Sequence, residues 1–363
     1  MKILFVGGTF DKAEGRKSSL VERFLSELGN FTDEKITVFN GGNYGQLENI
    51  LESVVNYDIV FWWANVPDNT LPKLRNIKEI NPKAMLISSK RNDNKYSFSE
   101  LVNHALMLKS NLTVEFSKRE EKHFNMRVLD PLGNIWYDGI NIFECAESVM
   151  RRVIFLKSIT RQKTNQVSKE KFEIKENEFQ NIDEFFKIIK EYAEVFHKKI
   201  NPADGVKRFL GNASFRCCKG FPSFRHDKYI FVSQRNVDKR YIDKKHFVPT
   251  YLEDEKIYYF GDKKPSVDTP IQLRLYQKFP NVNYMVHSHC YIKDASFTSI
   301  SLPCGAVEEV DEIISTILKE YGTLDLEFYK LNLIGHGCIV MSSDVEKLKD
   351  VEFISRPLPE IMY

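Results

Sequence analysis

The sequence lacks several features that would assign it to a class at once. No apolar run reaches the ~18–20 residues that cross a bilayer, and the chain enters an apolar run at residues 2–6 without a signal-peptide pattern. The 52 basic and 50 acidic residues are interleaved, so no basic stripe for nucleic acid is present. The six cysteines form no Cys-x-x-Cys pair and no disulfide framework. These absences predict a cytoplasmic protein that binds neither nucleic acid nor membrane.

The first half also lacks a nucleotide-binding motif, because Gly7-Gly8 has neither the dinucleotide fingerprint nor the P-loop spacing. What it contains is an alternation of short β-type runs with helical stretches. The runs predict strands at 2–6, 36–39, 58–61, 84–87 and 112–116, an edge strand at 126–129, and helices near 17–28, 45–56, 70–79, 97–109 and 141–157. Such alternation is typical of an open parallel sheet covered on both faces, as in Rossmann-like and flavodoxin-like domains.

The length of 363 residues favours two domains. Residues 158–177 are polar and aperiodic, which is typical of a linker. Asn181 then begins a predicted helix with Glu184 in capping-box position, and its apolar residues recur with helical spacing. We therefore expect a Rossmann-like domain of unknown role at 1–157, a linker at 158–177 and a second domain at 178–363. The apolar stripe of the helix comprises Ile182, Phe185, Phe186, Ile189, Tyr192, Ala193 and Phe196.

Two histidine motifs stand out in the second half. His287-Ser288-His289 follows the apolar run 282–286, and Gly335-His336-Gly337 follows the apolar run 331–334. Alternate residues of a strand point to one face, so His287 and His289 aim at the same point. A third histidine on a glycine-flanked turn can complete a three-nitrogen set, which suits Zn²⁺ and leaves one position open. Taken alone, a His-x-His pair is more often accidental than metal-binding.

Further motifs stand in order around the histidines. Upstream lies Gly211-Asn212-Ala213-Ser214-Phe215-Arg216, and residues 263–270 read Lys-Lys-Pro-Ser-Val-Asp-Thr-Pro before Leu273 and Leu275-Tyr276. Together with both histidine motifs, this order resembles the class II aldolase/adducin superfamily over residues 178–350. The local sequence at 265–276 is most similar to the branch that contains ribulose-phosphate 4-epimerases and fuculose-phosphate aldolases. The resemblance implies a class II aldolase-like α/β/α domain.

The resemblance also implies a metal-dependent activity. His287, His289 and His336 match the three metal ligands of the family, and the implied cofactor is Zn²⁺ or another divalent metal. The implied reaction is aldol cleavage or epimerisation of a sugar or sugar phosphate, in which the metal stabilises an enediolate. A dehydratase of the same superfamily and a non-catalytic interaction module of adducin type remain alternatives. Retention of all the matching ligands favours an enzyme.

Three further residues match functional positions of the family. Asp268 matches the carboxylate that ligates the metal at rest or serves as base, while a helix N-cap is the other interpretation of this residue. Asn212 matches a residue that faces the substrate, and a turn residue is its alternative. Ser266 matches a phosphate-contacting serine.

The chain departs from the family at the phosphate loop, where Pro-Ser/Thr-Gly is usual and this sequence has Gln234-Arg235-Asn236. Asn lacks part of the conformational freedom with which Gly approaches an anion. Arg235 can instead bind a phosphate or a carboxylate through a bidentate fork. The sequence therefore predicts a small anionic, sugar-like substrate without establishing that it is phosphorylated.

A second departure concerns the acid/base residue. The family carries a longer segment between His289 and Pro303, with a residue donated across a subunit interface. Glu309 is a candidate replacement, although an acidic residue also suits the first turn of a helix. Tyr363 is another candidate, since a C-terminal tyrosine in related aldolases folds over the metal site, while a mobile tail is the simpler interpretation. Family sites lie between subunits, so the resemblance implies a homotetramer.

Overall fold

The computed structural model describes residues 1–67, 77–93, 95–120, 123–159, 166–170, 182–216 and 229–362. The chain divides into two compact units. The first comprises Met1–Ser158 together with Leu358–Tyr363, and the second comprises Ile159–Pro357. The first boundary lies one residue from the predicted end of the N-terminal domain. The assignment of the last residues to the first unit differs from the sequence-based expectation.

The first unit contains the parallel sheet that the strand–helix alternation predicts, with the strands ordered β2-β1-β3-β4-β5. Residues 70–76 of one predicted helix lie outside the described residues. The strands are β1 (Ile3–Asp11), β2 (Ile36–Asn43), β3 (Ile59–Trp62), β4 (Met85–Arg91) and β5 (Leu112–Glu120). The helices are α1 (Ser19–Leu28), α2 (Tyr44–Ser53), α3 (Ile77–Ile80), α4 (Phe98–Leu108) and α5 (Ile142–Ser158).

Both faces of this sheet are covered. Alternate residues of β1 enter two different apolar clusters, one shared with α1 and α5 and the other with α2. Ile3 and Phe5 belong to the first cluster, whereas Leu4 and Val6 belong to the second. This near-continuous apolar strand is the pattern expected of a parallel strand buried on both sides.

The sheet continues beyond the parallel strands. The predicted edge strand forms β6 (His123–Leu129), and β7 (Asn134–Gly139) adds a further antiparallel strand that the sequence did not predict. Asp130 shapes the turn between them, because its Oδ1 accepts hydrogen bonds from the backbone amides of Leu132 (2.9 Å) and Asn134 (3.1 Å).

The second unit is built on another eight-stranded sheet, which is mostly antiparallel. The strand order is β15-β16-β13-β9-β10-β11-β12-β8, and a two-stranded sheet pairs β14 with β17. The helices are α6 (Ile182–Ile200), α7 (Thr269–Lys278) and α8 (Glu309–Tyr321). The strands are β8 (Gln166–Lys169), β9 (Asn212–Arg216), β10 (Ile230–Ser233), β11 (Phe247–Glu253), β12 (Lys256–Phe260), β13 (Tyr284–Ser288), β14 (Tyr291–Ile292), β15 (Phe328–Leu333), β16 (Gly337–Ser342) and β17 (Phe353–Ile354).

Helices cover both faces of this sheet and give the expected α/β/α layers. The apolar stripe of α6 is buried as predicted and shares one cluster with Tyr284 and Val286 of β13. Met285, between them, belongs to a separate cluster with residues of α7 and α8. By strand alternation, His287 lies on the same face as Met285. The fold therefore directs the His-x-His motif toward the α7/α8 layer.

The segment expected to be a linker is partly structured. Residues 166–169 form β8 and pair in parallel with β12 at the edge of the second sheet. The other residues of the expected linker, apart from 158–159 and 170, lie outside the described residues, as does Asn181 of the expected capping box. A four-residue strand with Val167 as its single apolar residue lacks the apolar alternation by which strands are recognised.

The C-terminal residues form β18 (Glu360–Ile361), which pairs in parallel with Asn134 and Ile135 of β7. The backbone amide of Met362 donates to the carbonyl of Ile135 at 2.8 Å. The tail was expected to be mobile or to fold over the metal site, and it instead extends the first sheet. Tyr363 itself lies outside the described residues.

No helix in the described ranges is long and apolar enough to cross a membrane.

Candidate metal centre

Three histidine rings come together where β13 ends and where β15 turns into β16. The ring centroid of His287 lies 5.2 Å from that of His289 and 4.7 Å from that of His336, and the last two are 5.1 Å apart. Each ring offers one nitrogen, and these nitrogens all lie within 4.8 Å of one another. His289 and His336 are separated by 47 positions in the sequence, and the fold thus brings the two motifs to one place.

Close backbone packing positions the turn that carries His336. Gly337 has φ of 149°, and a Cβ at this position would lie 1.9 Å from the carbonyl oxygen of Ser288. Only glycine fits where β16 approaches the His-x-His segment so closely. The preceding Gly335 is held on both sides, since its amide donates to the Tyr291 hydroxyl (3.0 Å) and its carbonyl accepts from Arg356 (2.6 Å).

Hydrogen bonds determine which nitrogen of His287 is available. Its Nδ1 lies 2.9 Å from the carbonyl oxygen of Cys338. A carbonyl oxygen only accepts, so Nδ1 carries the proton and Nε2 keeps its lone pair. Nε2 is buried and has no hydrogen-bond partner in the described part of the chain. A buried lone pair without a partner is costly unless a ligand occupies the space in front of it.

His336 is oriented in the same way by a carboxylate. Its Nδ1 lies 2.8 Å from Oε1 of Glu309, the first residue of α8, and both side chains are buried. Donation to Glu309 leaves Nε2 of His336 facing the cluster. A carboxylate behind a histidine is the usual outer partner of a metal-binding imidazole.

Asp268 lies beside the histidines at the start of α7. Its Oδ2 is 3.9 Å from Nε2 of His287 and accepts a hydrogen bond from Nδ2 of Asn212 at 2.9 Å. Its Oδ1 is buried and has no partner among the described residues. Asp268 occupies the N-cap position of α7, but its side chain makes no capping hydrogen bond. The side chain therefore does not cap the helix and instead lies beside His287.

Asn212 is held in turn by Gln272, whose side-chain amide donates to Asn212 Oδ1. Gln272 follows Asp268 by one helical turn, and both are buried. Asn212 was predicted to face the substrate, whereas its amide here orients the carboxylate of Asp268. Ser266 is also buried, and its Oγ accepts from the Asp268 amide at 3.4 Å.

Burial and charge set the protonation of the cluster. Burial, reinforced by His336, lowers the pKa of His287 to about 4, and burial also holds the pKa of His289 well below its usual value. Burial alone would lower the pKa of His336, but Glu309 and Cys304 outweigh it and raise the pKa well above its usual value. His287 and His289 are thus neutral near pH 7, which is the form in which imidazole binds a metal.

Three cationic side chains lie near the cluster. Lys239 is buried, and burial lowers its pKa to about 8 against the opposing effects of Asp238 and Asp268. Arg235 is partly withdrawn from solvent, and this desolvation lowers its pKa as well, while Asp268 acts in the opposite direction. Arg356 is buried, and its positive charge contributes to lowering the pKa of His289.

The loop that carries Arg235 keeps a glycine-like conformation. Asn236 has φ of 59°, which is the left-handed region that Asn tolerates better than most residues. Asn236 thus has a backbone conformation that glycine adopts without strain. The side chain of Arg235 is exposed, in contrast to Lys239.

The donor set fits a divalent metal of the zinc type. Two imidazoles whose Nδ1 is engaged by an outer acceptor, those of His287 and His336, next to a carboxylate with an unpartnered buried oxygen, are the kind of ligands that such an ion binds. His287, His289 and His336 would hold the ion, and Asp268 lies close enough to complete the set.

Comparison with known proteins agrees with this geometry. Residues 193–310 match the family model described as the class II aldolase and adducin N-terminal domain. This match supports the class II aldolase superfamily for the C-terminal part of the chain. The matched residues contain Asn212, Asp268 and the His-x-His motif but end before His336. The structure, and not the family match, places His336 beside the other two histidines.

Two solved structures are similar to parts of this chain, at low identity and low TM-score. A DNA/pantothenate metabolism flavoprotein from Streptococcus pneumoniae is 12% identical, with a TM-score of 0.34, over 43% of this chain and 99% of that one. An L-fuculose 1-phosphate aldolase is 13% identical, with a TM-score of 0.33, over 48% of this chain and 84% of that one. No curated protein matches the chain.

The structure also brings to the site three residues that the sequence analysis did not single out. They are Gln272, which holds Asn212, Lys239, whose charge acts on the cluster, and Cys304, whose Sγ lies 3.2 Å from Nε2 of His336. The helical spacing of Gln272 from Asp268 was a usable signal. Lys239 and Cys304 lie in connecting segments, where no periodicity indicates what a side chain contacts.

Proposed function

We propose that the second unit is a divalent-metal-dependent lyase or isomerase that acts on a small anionic, sugar-like substrate by aldol-type chemistry. The observation that carries this proposal is the convergence of His287, His289 and His336 beside Asp268, with buried lone pairs on His287 and Asp268 that lack partners in the described residues. We further propose Zn²⁺ as the resident ion, because nitrogen-rich sets of this kind suit it.

A bound divalent cation would supply Lewis-acid polarisation of a substrate carbonyl or hydroxyl pair. The residues of the chain have separate tasks around it. Asp268 is placed to take a proton from the substrate, since Asn212 engages only its Oδ2 and leaves Oδ1 available. Glu309 holds the tautomer of His336 and is therefore a positioning residue rather than the acid/base group expected from the sequence.

The anionic character of the substrate is supported by the cations around the cluster. Lys239 is a buried ammonium and Arg235 an exposed guanidinium, and each interacts electrostatically with Asp268. A carboxylate or phosphate on the substrate would be attracted by these charges. Ser266 offers a hydroxyl beside Asp268. This part of the proposal concerns substrate class and not the identity of the anionic group.

Metal analysis of the purified protein tests the proposal most directly. We expect about one equivalent of tightly held divalent metal in the unaltered protein, since a three-histidine set binds a single ion. The His289→Ala variant should lose the metal and keep its fold, because catalytic sites contribute less to folding than structural ones. His197→Ala, which removes an exposed histidine of α6, is the matched control.

Activity can be followed without knowing the substrate. Solvent deuterium exchange into a panel of small α-hydroxy carbonyl compounds, with and without phosphate, is measurable by NMR. We expect metal-dependent exchange that falls by about 10²–10⁴-fold in Asp268→Asn, with metal content unchanged. A protein that holds metal but exchanges no compound of the panel would favour the non-catalytic, adducin-like alternative. Less than about half an equivalent of metal would count against the enzyme.

The assembly is a separate proposal, which rests on the resemblance alone. We infer a homotetramer, because sites of this family lie between subunits. Sedimentation of the full chain at micromolar concentration measures its mass. A monomer would contradict the inference and would leave the metal centre unaffected.

A further inference from the structure

Cys304 lies at the metal centre, in the segment between Pro303 and the start of α8. Its Sγ is 3.2 Å from Nε2 of His336, the nitrogen that faces the cluster. In the neutral form of His336 that binds a metal, Nδ1 donates to Glu309, so Nε2 is the acceptor and the thiol is the donor in this contact. The sulfur of Cys304 thus lies next to the nitrogen through which His336 would bind a metal ion.

A second group of potential ligands overlaps the three histidines at this point. The donor atoms of Asp268, Cys304 and His336 all lie within 4.8 Å of one another. Two buried atoms that lack partners in the described residues, Nε2 of His287 and Oδ1 of Asp268, belong to members of these two groups. The site therefore offers a sulfur donor in addition to three nitrogens and a carboxylate.

We propose that Cys304 is a ligand of the metal and completes a sulfur-containing set with His287, His289 and His336. This inference rests on the metal centre proposed above and extends it. Binding replaces the S–H bond of Cys304 with a bond between sulfur and the metal, and the thiol proton passes to the solvent. Asp268 then stays outside the resting set, with its oxygen available as a base.

The proposal has a consequence for the choice of metal. Thiolate is a soft ligand that favours zinc-type ions, whereas carboxylate and water suit Mg²⁺ and Mn²⁺. A centre that includes Cys304 should discriminate strongly for Zn²⁺ over Mn²⁺. A centre completed by Asp268 alone should discriminate less.

Cobalt(II) provides a direct probe, because a cobalt–thiolate bond gives an intense charge-transfer absorption in the near ultraviolet. We expect this band in the Co²⁺-loaded full-length protein. Cys304→Ser should lose the band while the weaker visible bands of bound Co²⁺ remain. Its Kd for Zn²⁺ should rise by more than the ~10–100-fold that the loss of an outer partner costs. Cys145→Ala, in the buried core of the first unit, is the control and should keep the band.

The outcomes separate this proposal from the proposed function. Bound Co²⁺ without a charge-transfer band, or an undiminished band in Cys304→Ser, would overturn ligation by Cys304 and leave the metal centre in place. Failure of the unaltered protein to bind Co²⁺ or Zn²⁺ would overturn both.

A measurement on the unaltered protein covers the case in which Cys304→Ser does not fold. Alkylation by iodoacetamide, read by peptide mass spectrometry, reports the reactivity of each cysteine separately. Zn²⁺ should protect Cys304, and removal of Zn²⁺ by a chelator should restore its alkylation. Equal alkylation of Cys304 with and without bound Zn²⁺ would contradict the proposal.

Discussion

At the scale of single residues, the outer hydrogen bonds of the histidines organise the centre. The Cys338 carbonyl and the Glu309 carboxylate each engage one Nδ1 and thereby present Nε2 of His287 and His336 to the same place. The backbone partner comes with the strand pairing of β13 and β16. The carboxylate partner depends on one side chain, so it is the one that substitution can test.

We expect Glu309→Ala to weaken Zn²⁺ binding by about 10–100-fold, because His336 loses its orientation and keeps a buried Nδ1–H without an acceptor. Glu309→Gln should be milder, since an amide oxygen can still accept from Nδ1. Competition with a chelator of known affinity measures both Kd values. Equal losses in the two variants would mean that the negative charge of Glu309, and not its acceptor oxygen, supports the site.

The glycine at the start of β16 gives a second residue-scale prediction. Gly337→Ala should destabilise the second unit by more than about 3 kcal/mol, because left-handed strain costs about 1–3 kcal/mol and the Cβ also meets the Ser288 carbonyl. Gly322→Ala is the matched control, with φ of 71° and no atom within 4 Å of the added Cβ. It should cost about 1–2 kcal/mol. Urea unfolding measures both, and equal losses would show that close packing is not the cause.

The sequence predicted the residues of the site better than their contacts. Strand spacing sufficed to bring His287 and His289 to one point, and the glycine-flanked turn added His336. The contact between Asn212 and Asp268 was not predictable, because it depends on the placement of α7 over β9. Cys304 was not recognised for the same reason, since its approach to His336 follows from a connecting segment without periodicity.

At the scale of elements, both helices of one layer begin at the metal centre. Asp268 precedes the first residue of α7, and Glu309 is the first residue of α8. The amino end of a helix carries a partial positive charge. The same ends would favour negative charge that develops on a substrate in front of them.

The tail provides the element-scale prediction. Deletion of residues 358–363 removes β18 from the edge of the first sheet. We expect faster amide hydrogen exchange at Asn134 and Ile135 and unchanged metal content, because the lost pairing lies in the first unit. Hydrogen exchange with mass spectrometry measures this. Ile361→Ser, at an exposed position of the strand, is the control that keeps the backbone pairing. Unchanged exchange in β7 would show that β18 contributes nothing to this edge.

The elements that the sequence predicted are the long or strongly apolar ones. Parallel strands buried on both faces and the amphipathic helix α6 follow from their apolar patterns. The strands β8 and β18 were not predicted, because a few mostly exposed residues at a sheet edge depend on pairing and not on their own pattern. For β7, the turn signal at 130–134 concealed the strand that starts there.

At the scale of the whole molecule, the two units have separate apolar cores. Metal binding should therefore stabilise only the second. At a free Zn²⁺ concentration 100 times the Kd, the gain is about 2.7 kcal/mol, or a rise of about 5–11 °C in the Tm of a unit of this size. Calorimetry of the full chain with Zn²⁺ and with a chelator measures the shift. Equal shifts in two resolved transitions, or no shift, would contradict this expectation.

The return of residues 358–363 to the first sheet makes the second unit an insertion within the first. During translation, residues 159–357 leave the ribosome before β18 exists. The first unit must therefore fold with one edge incomplete and wait for its last strand until the entire aldolase-type domain has been synthesised. A nascent chain stalled before residue 358 would present the edge of β7 to other strands, which makes this stage of biosynthesis the one most exposed to mispairing.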